Sequence, residues 1–403
     1  MAISLRRCAP AVACCLIVSA SGCTTAPPPV ARSSAEEVAY LRQLRIEGWK
    51  QLEPFTQTAS GLPASPKWTA GRTLLPDNSS RSNATVSLKP DLRDQKDGPA
   101  LWEATFFNEA ATSYVTSLKL NEWDTTDVLR KERSVRGIEF PRGSQVIKTF
   151  WYRVSSEPVP VLVWNWNKVV SGATKAPLDG QREACVERQP THGCLRAGED
   201  FYTATVQQKD LQNFTCGTEC KDVLNDGDFL VLVGLHIATK VRPEWLWATF
   251  WWRDKEEEPG KAWPSGSSWT CVDAQRKEAI GELAAPWNNY SMDVIASFKR
   301  AKPAVDVQEG CGEPANIGNG EQKVAMYNPF SEARFTNGLK SSCVHCHSLV
   351  TTDYNLKPEQ GFPLPPGKPF AGPTFADHED HIRLDYLWSV QRSLKRTRFP
   401  EEW

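Results

Sequence analysis

The sequence predicts an α+β protein with a helical N-terminal segment, a central antiparallel β-sandwich-like domain and a small α-helical C-terminal domain. Three observations lead to this class. A capping box opens an amphipathic pattern near the N-terminus, short β-branched and aromatic runs fill the centre, and apolar residues recur at near-helical spacing close to the C-terminus. The expected boundaries are 35–136 for the mostly helical or loop N-terminal region, 137–310 for the β-rich domain and 311–403 for the C-terminal domain.

Length and composition limit the possible classes of protein. The 403 residues are 40% hydrophobic and 24% charged, which is typical of a globular chain and not of a disordered or fibrous one. The formal net charge of −1 provides no basic surface for nucleic acid, so no nucleic-acid partner is expected. With 16 Trp residues, aromatic surface is expected to be a major packing material.

The N-terminus has the pattern of an export signal. Arg6 and Arg7 precede a run of mostly apolar or small residues from Cys8 to Ala20, which is too short to span a hydrocarbon core. We therefore predict a signal peptide over residues 1–22.

The end of this signal, Ala20-Ser21-Gly22-Cys23, resembles the lipobox of bacterial lipoproteins. The resemblance implies that Cys23 is diacylated and becomes the new N-terminus. Ala20 stands where the family usually has Leu, so cleavage and secretion without a lipid is the alternative. The Pro-rich residues 23–34 would form an extended tether. Thr24, where inner-membrane lipoproteins have Asp, implies the periplasmic side of the outer membrane rather than the inner one.

The N-terminal region begins with a predicted helix. Ser34 and Glu37 form a capping box, and the helix is expected to run through Trp49 with apolar side chains on one side. Residues 61–97 are rich in Pro, Ser, Asn and charge and are expected to form a loop. The aromatic segment from Leu101 to Val115 is predicted to be helical.

The central region is predicted to contain short antiparallel strands in a sandwich or barrel. The expected strands are Val146 to Val154, Val159 to Trp166, Phe201 to Val206, Phe229 to Val241 and Trp245 to Trp252. In the last of these, Trp245, Trp247 and Trp251 share one face while apolar residues occupy the other. A sheet buried on both sides, in part by the C-terminal domain, is one interpretation; an aromatic platform for a sugar or another flat ligand is the alternative.

The chain contains 12 Cys residues. Three lie in the signal and Cys23 is the lipidation candidate. An oxidising periplasm favours disulfide bonds, and proximity in sequence suggests three structural pairs, although six cysteines allow fifteen connectivities. The candidate pairs are Cys185–Cys194, Cys216–Cys220 and Cys271–Cys311.

The last two cysteines belong to a motif that carries specific chemistry. Cys343-Val344-His345-Cys346-His347 has the C-x-x-C-H spacing of covalent haem attachment, in which two thiols bond to haem vinyls and the His ligates iron. A disulfide, a zinc knuckle and a thiol redox pair are the competing interpretations. Zinc would require further ligands at comparable spacing, and the sequence has no second C-x-x-C. One covalent haem c with His347 as proximal ligand is therefore predicted.

Around this motif the C-terminal part of the chain resembles a c-type cytochrome. Asn328 to Gly338 would be a short helix leading to the motif, Leu364 to Pro369 a loop around the haem edge, and Arg383 to Lys395 a closing helix. The whole chain is similar to bacterial cytochrome c family proteins that have a large N-terminal region before one haem site. Unlike the commonest single-haem pattern, no Met follows the motif.

The ligand on the distal side of the iron is left open by the sequence. His236, in Val233-Gly234-Leu235-His236, and His381 are the first candidates, and Met326 follows them. His236 would require the β-rich domain to dock on the haem, and otherwise would be a core histidine. The remaining candidates are His378, Met292 and His345, of which His345 lies inside the motif and cannot comfortably reach the opposite face. An open or water-occupied position is also considered.

These ligand choices lead to two functional classes. Six-coordinate iron indicates a membrane-anchored electron-transfer protein with a periplasmic redox partner, which is the favoured prediction. A five-coordinate haem beneath a pocket of the β-rich domain would instead indicate an oxidoreductase acting on peroxide or a small organic substrate. A ligand-binding protein with an accessory haem is a third, weaker class, and whether the chain is an enzyme is left open.

The lipobox predicts that the intact chain incorporates labelled palmitate, because diacylation joins the Cys23 sulfur to a diacylglyceryl group that carries fatty acids. Cys23→Ser should abolish incorporation, whereas Cys15→Ser, within the same signal, should retain it. A wild-type protein that takes up no label and has an N-terminus elsewhere than Cys23 contradicts this prediction.

Overall fold

Helices and antiparallel strands are both present in the computed structural model of the chain. It describes residues 34–56, 68–70, 101–120, 138–155, 158–164, 181–188, 193–216, 223–241, 245–253, 269–296, 328, 330–331, 343 and 347. The predicted signal peptide, the tether up to residue 33, the 61–97 loop apart from 68–70, and the closing helix lie outside these residues.

The first helix, α1 (Ser34–Thr56), begins at the predicted capping box and continues beyond Trp49. It is longer than expected because Leu52 and Phe55 continue the three-residue spacing set by Trp49, and all three side chains are buried. Two further helices are described, α2 (Glu109–Leu118) and α3 (Trp269–Ile280). Short 3-10 helices span Gln208–Asn213 and Trp287–Asn289.

Eight strands form one large antiparallel sheet. Their order is β1-β2-β3-β9-β10-β11, with β8 beside β2 and β7 beside β9. Their bounds are β1 (Trp68–Ala70), β2 (Leu101–Asn108), β3 (Gln145–Val154), β7 (Thr203–Thr205), β8 (Phe214–Cys216), β9 (Phe229–Thr239), β10 (Leu246–Trp252) and β11 (Tyr290–Ile295). Four of the five predicted strands contain an observed strand, and the fifth matches β3 except that β3 begins one residue earlier, at Gln145.

A smaller sheet contains β4 (Val159–Trp164), β5 (Gln181–Glu187) and β6 (Leu195–Arg196). The predicted disulfide between Cys185 and Cys194 is present and joins β5 to the residue before β6, with Cα atoms 5.1 Å apart. Cys216 ends β8 and Cys271 lies in α3, but Cys220 and Cys311 are outside the described residues, so those two pairings stay predictions.

The large sheet has two different faces. On one face Phe250 and Met292 lie opposite each other in register, and α1 covers them: the rings of Trp49 and Phe250 are 5.5 Å apart. We call this the α1 face. On the other, Lys148, His236 and Thr249 lie directly opposite one another on β3, β9 and β10. We call it the His236 face.

Helix α3 packs on α1. The Arg276 guanidinium lies 5.6 Å from the centre of the Trp49 ring, and Arg42 forms an ion pair with Glu278. Over this part of the large sheet a helix, rather than the second sheet expected of a sandwich, supplies the covering layer. The reason is visible in α1, where Leu44, Trp49 and Leu52 give one apolar stripe wide enough to bury the facing strands.

The prediction of a helix over Leu101 to Val115 is wrong for its first half. Leu101–Asn108 is strand β2, paired with β3 along most of its length, and α2 begins only after it. Asn108 ends the strand and caps the helix, because its Oδ1 accepts a hydrogen bond from the Ala111 N–H at 3.0 Å. Phe106 and Phe107 are both buried, on opposite faces of the strand. Apolar residues on both faces of a strand also fit helical spacing, so the sequence pattern did not distinguish the two elements.

Packing of α1 on the sheet predicts a large effect of Trp49→Ala. Trp49 has no exposed surface and contacts Phe250, so truncation should lower the free energy of unfolding by about 3–5 kcal/mol. Lys50→Ala, at the exposed neighbouring position, should change it by less than about 0.5 kcal/mol. Urea denaturation of both variants measures the difference. Equal small effects would contradict the packing of α1 against this face.

Candidate functional site

The candidate site is built on the His236 face, in the middle of the large sheet. His236 lies on β9 between Lys148 of β3 and Thr249 of β10, so sheet backbone holds it on both sides. The edge of the His236 ring meets the Phe150 ring, with ring centres 5.0 Å apart. His236 is partly exposed as a whole, but its Nε2 atom is buried. The imidazole is therefore held in place by regular structure rather than by a loop.

Electrostatics keep this imidazole neutral. Burial lowers the pKa of His236 well below its ordinary value of 6.5, and the nearby charges of Lys148 and His347 lower it further. Since the pKa is lowered, the neutral form predominates at and above neutral pH. The neutral imidazole is the form that ligates metal ions.

Cys343 reaches the same position from a distant part of the sequence. Its Sγ atom lies 3.8 Å from His236 Nδ1, although 107 residues separate the two. Only 6% of Cys343 is exposed, and it forms no disulfide bond with any described residue. The first cysteine of the C-x-x-C-H motif thus contacts a histidine that the sequence named as a separate candidate.

His347 lies on the same face, against Trp247 of β10. The two ring centres are 4.3 Å apart, with the planes tilted by 47°. Trp247 is only 4% exposed, and its Nε1 atom is buried with no hydrogen-bond partner in the described part of the chain. A buried N–H donor therefore lies beside the predicted proximal ligand.

Asn328, just before the motif, attaches the incoming chain to the sheet. Its Nδ2 atom donates hydrogen bonds to Thr249 Oγ1 at 2.8 Å and to the Phe250 carbonyl at 2.9 Å. Its Oδ1 atom accepts from the Phe330 N–H at 2.9 Å. The fully buried amide thus joins β10 to the segment that leads to Cys343.

Gly234 makes this attachment possible. A Cβ atom at this position would stand 3.1 Å from Asn328 Nδ2 and 3.2 Å from its Oδ1, closer than about nine in ten real Cβ contacts, so the amide would have to move by a few tenths of an ångström. The group that approaches the backbone next to His236 is therefore the Asn328 side chain.

The His236 face also carries charge. The Lys148 ammonium is 2.8 Å from Glu103 Oε2 and lies 5.1 Å from the centre of the Phe150 ring. Asp293, opposite Thr249 in register, is buried and accepts a hydrogen bond from the Val294 N–H at 2.9 Å. The Lys148 ammonium therefore places a positive charge near His236 while its own side chain stays partly exposed.

The described structure brings together three of the predicted site residues and separates a fourth. His236, Cys343 and His347 share one face, whereas Met292 is buried on the opposite, α1 face beside Gly48. Met292 is therefore excluded as a ligand near His236. Several candidates lie outside the described residues and stay predictions: Cys23, Met326, His345, Cys346, His378 and His381.

Sequence reasoning did not identify Asn328, Lys148 and Trp247 as parts of one site. The sequence around Asn328 carried a local signal. An Asn side chain often accepts hydrogen bonds from backbone N–H groups two or three residues later and so forms a turn. The hydrogen bond from Asn328 to Thr249, 79 residues away, had no such signal. Among the described His, Cys, Asp and Glu residues, no group of three or more is arranged to hold a metal ion by itself.

Comparison with protein-family models gave no match to this chain, and comparisons with curated proteins and with solved structures gave none either. No helix among the described residues is both long and apolar enough to cross a membrane.

The contact between Gly234 and Asn328 predicts a double-mutant result. Gly234→Ala should lower the free energy of unfolding by about 1–3 kcal/mol, because the new methyl group pushes the amide away from Thr249 and Phe250. In an Asn328→Ala background, where the amide is gone, the same change should cost less. Urea denaturation of the four proteins gives the coupling. An equal cost in both backgrounds would show that Asn328 does not occupy this position.

Proposed function

We propose that this chain is a periplasmic, membrane-anchored c-type cytochrome that binds one haem covalently through Cys343 and Cys346 and transfers electrons. His347 would be the proximal iron ligand. The observation that carries the proposal is that Cys343 contacts His236 while His347 packs on Trp247 of the same sheet face. If Cys343 belonged only to a disulfide or to a solvated loop, nothing would require it and His347 to lie on the same face as His236.

The described residues of the His236 face fit a haem. A porphyrin is flat and largely apolar, and the wall around His236 and His347 includes the rings of Phe150 and Trp247. The buried Trp247 Nε1 donor suits an acceptor such as a haem propionate. Because a porphyrin itself supplies four nitrogen ligands, the protein needs to add only one or two. His347 of the motif would supply one of these ligands.

When bound, the haem would supply a one-electron couple, with ferric iron accepting an electron from a reduced partner protein and ferrous iron returning it to an oxidised one. The chain's own residues hold and insulate this site. Trp247 orients the His347 imidazole through ring contact, and Asn328 anchors the preceding segment to β10. Phe150 and Trp247 exclude water from the region, which lowers the reorganisation that each electron transfer requires.

Export and anchoring complete the proposal. The protein would be exported by the signal over residues 1–22 and held at the periplasmic side of a bacterial membrane by lipidated Cys23 and the tether over 23–34. The outer membrane is favoured over the inner one. The disulfide between Cys185 and Cys194 supports an oxidising compartment of this kind. A periplasmic redox protein is the expected partner.

Covalent attachment predicts a haem signal that survives denaturation. In a host that matures c-type cytochromes, the exported wild-type protein should stain for haem peroxidase activity on a denaturing gel. Cys343→Ala/Cys346→Ala should lose the stain, because both thioether bonds are removed. Cys185→Ala/Cys194→Ala is the matched control: it also removes two cysteines, and it should keep the stain. A wild-type protein without covalent haem, or with zinc instead, refutes the proposal.

A further inference from the structure

We propose that Asn328 acts as a latch: its hydrogen bonds hold the chain that leads to Cys343 on the His236 face, and so keep the Cys343 thiol away from thiol reagents and disulfides. The latch itself does not depend on haem. Its use, which is to keep Cys343 reduced for thioether formation in an oxidising compartment, rests on the proposed function.

The latch and the thiol occupy neighbouring positions on the sheet. The Asn328 amide lies against Gly234, and Cys343 contacts His236, two residues further along the same strand. Residues two apart on a strand point to the same face and are about 6–7 Å apart. Thr249, which accepts a hydrogen bond from Asn328, is directly opposite His236 on β10. Lifting Asn328 from the sheet therefore opens the region beside the Cys343 sulfur.

The hydrogen bonds of the latch are buried and directional. The Asn328 side chain has no exposed surface, and it donates to Thr249 Oγ1 and to the Phe250 carbonyl. It accepts from the backbone N–H groups of Phe330 and Ser331. When the segment lifts, water replaces these partners, so removing the Asn328 amide destabilises the docked form and not the lifted one.

The thiol that the latch covers is almost inaccessible in the docked form. Cys343 is 6% exposed, and its Sγ atom lies 3.8 Å from His236 Nδ1. Alkylation and thiol–disulfide exchange both require a reagent to approach the sulfur, so the thiol reacts only in molecules whose segment has lifted. The observed rate is the intrinsic rate multiplied by the lifted fraction.

Alkylation of the haem-free protein measures that fraction. The parent is the full-length chain with Cys346→Ser, exported in a host that attaches no haem. It is treated with iodoacetamide, and modified Cys343 is quantified by mass spectrometry. Adding Asn328→Ala should raise the rate on the order of 10- to 100-fold, the range expected when buried hydrogen bonds are lost. An unchanged rate overturns the proposal.

Two further variants separate the latch from the local turn. Asn328→Asp keeps an oxygen that accepts from the Phe330 N–H, but its carboxylate cannot donate to Thr249 or Phe250, so it should react as fast as Asn328→Ala. Ser331→Ala is the matched control in the same segment. It keeps the backbone N–H that Asn328 accepts from, and it should react at the parent rate. The opposite result for either variant overturns the latch.

The dependence on urea shows whether the opening is local. Below the unfolding transition, the alkylation rate of the parent should change little with urea, because lifting one segment exposes little surface. A rate that rises with urea as steeply as global unfolding would mean that Cys343 is released only when the whole fold opens, and overturns the proposal.

The outcomes also separate the latch from the proposed function. Protection of Cys343 that is lost in Asn328→Ala supports the latch, whether or not the wild-type protein stains for haem. A parent protein whose Cys343 reacts as fast as in the urea-unfolded chain overturns the latch, and leaves the proposed function to be decided by the haem stain.

Discussion

The rest of the structure depends on the burial of β10 on both faces. All seven residues of Leu246–Trp252 are buried, so each side of this strand requires its own covering layer. Helix α1 provides one through Trp49, which packs on Phe250. The other is provided by chain from the distant C-terminal region, where Asn328 bonds to Thr249 and His347 packs on Trp247. Hydrophobic burial of one strand thus fixes where the C-x-x-C-H motif meets the sheet.

Once the segment that contains Asn328 and His347 lies on the sheet, the strand register determines which residues it contacts. Thr249 is directly opposite His236, and Trp251 is opposite Gly234, so the residues that receive Asn328 stand next to the candidate ligand. Glycine at position 234 leaves room for the Asn328 amide, which a Cβ atom would contact at 3.1–3.2 Å. His236, Gly234 and Trp251 are therefore parts of a single packing arrangement.

The sequence predicted the strong β patterns well and the weaker ones poorly. The aromatic alternation of β10 indicated burial on both faces, and the apolar run of β9 was equally clear. Strand β11 was missed because Ser291 and Asp293 are polar residues on a buried face, where alternation normally marks solvent. Strand β2 was taken for helix because its aromatic residues are buried on both sides and its end caps a true helix. In each case tertiary burial overrides the local pattern.

For the site, local spacing identified the C-x-x-C-H motif, and His236 was named as a separate candidate. Their meeting was not predictable, since the contact between His236 and Cys343 spans 107 residues and is created by the packing of the whole sheet. The same holds for the bond from Asn328 to Thr249. Neither contact leaves a periodic signature in either segment.

The central claim is that the segment carrying Cys343 and His347 docks on the His236 face. Crystals of the exported protein, loaded with the proposed haem and measured at the iron absorption edge, test it most directly. The account predicts one anomalous peak within ligand distance of His347, beside Trp247 and on the side of the sheet opposite α1. A peak bound by His347 but distant from β10 would contradict it.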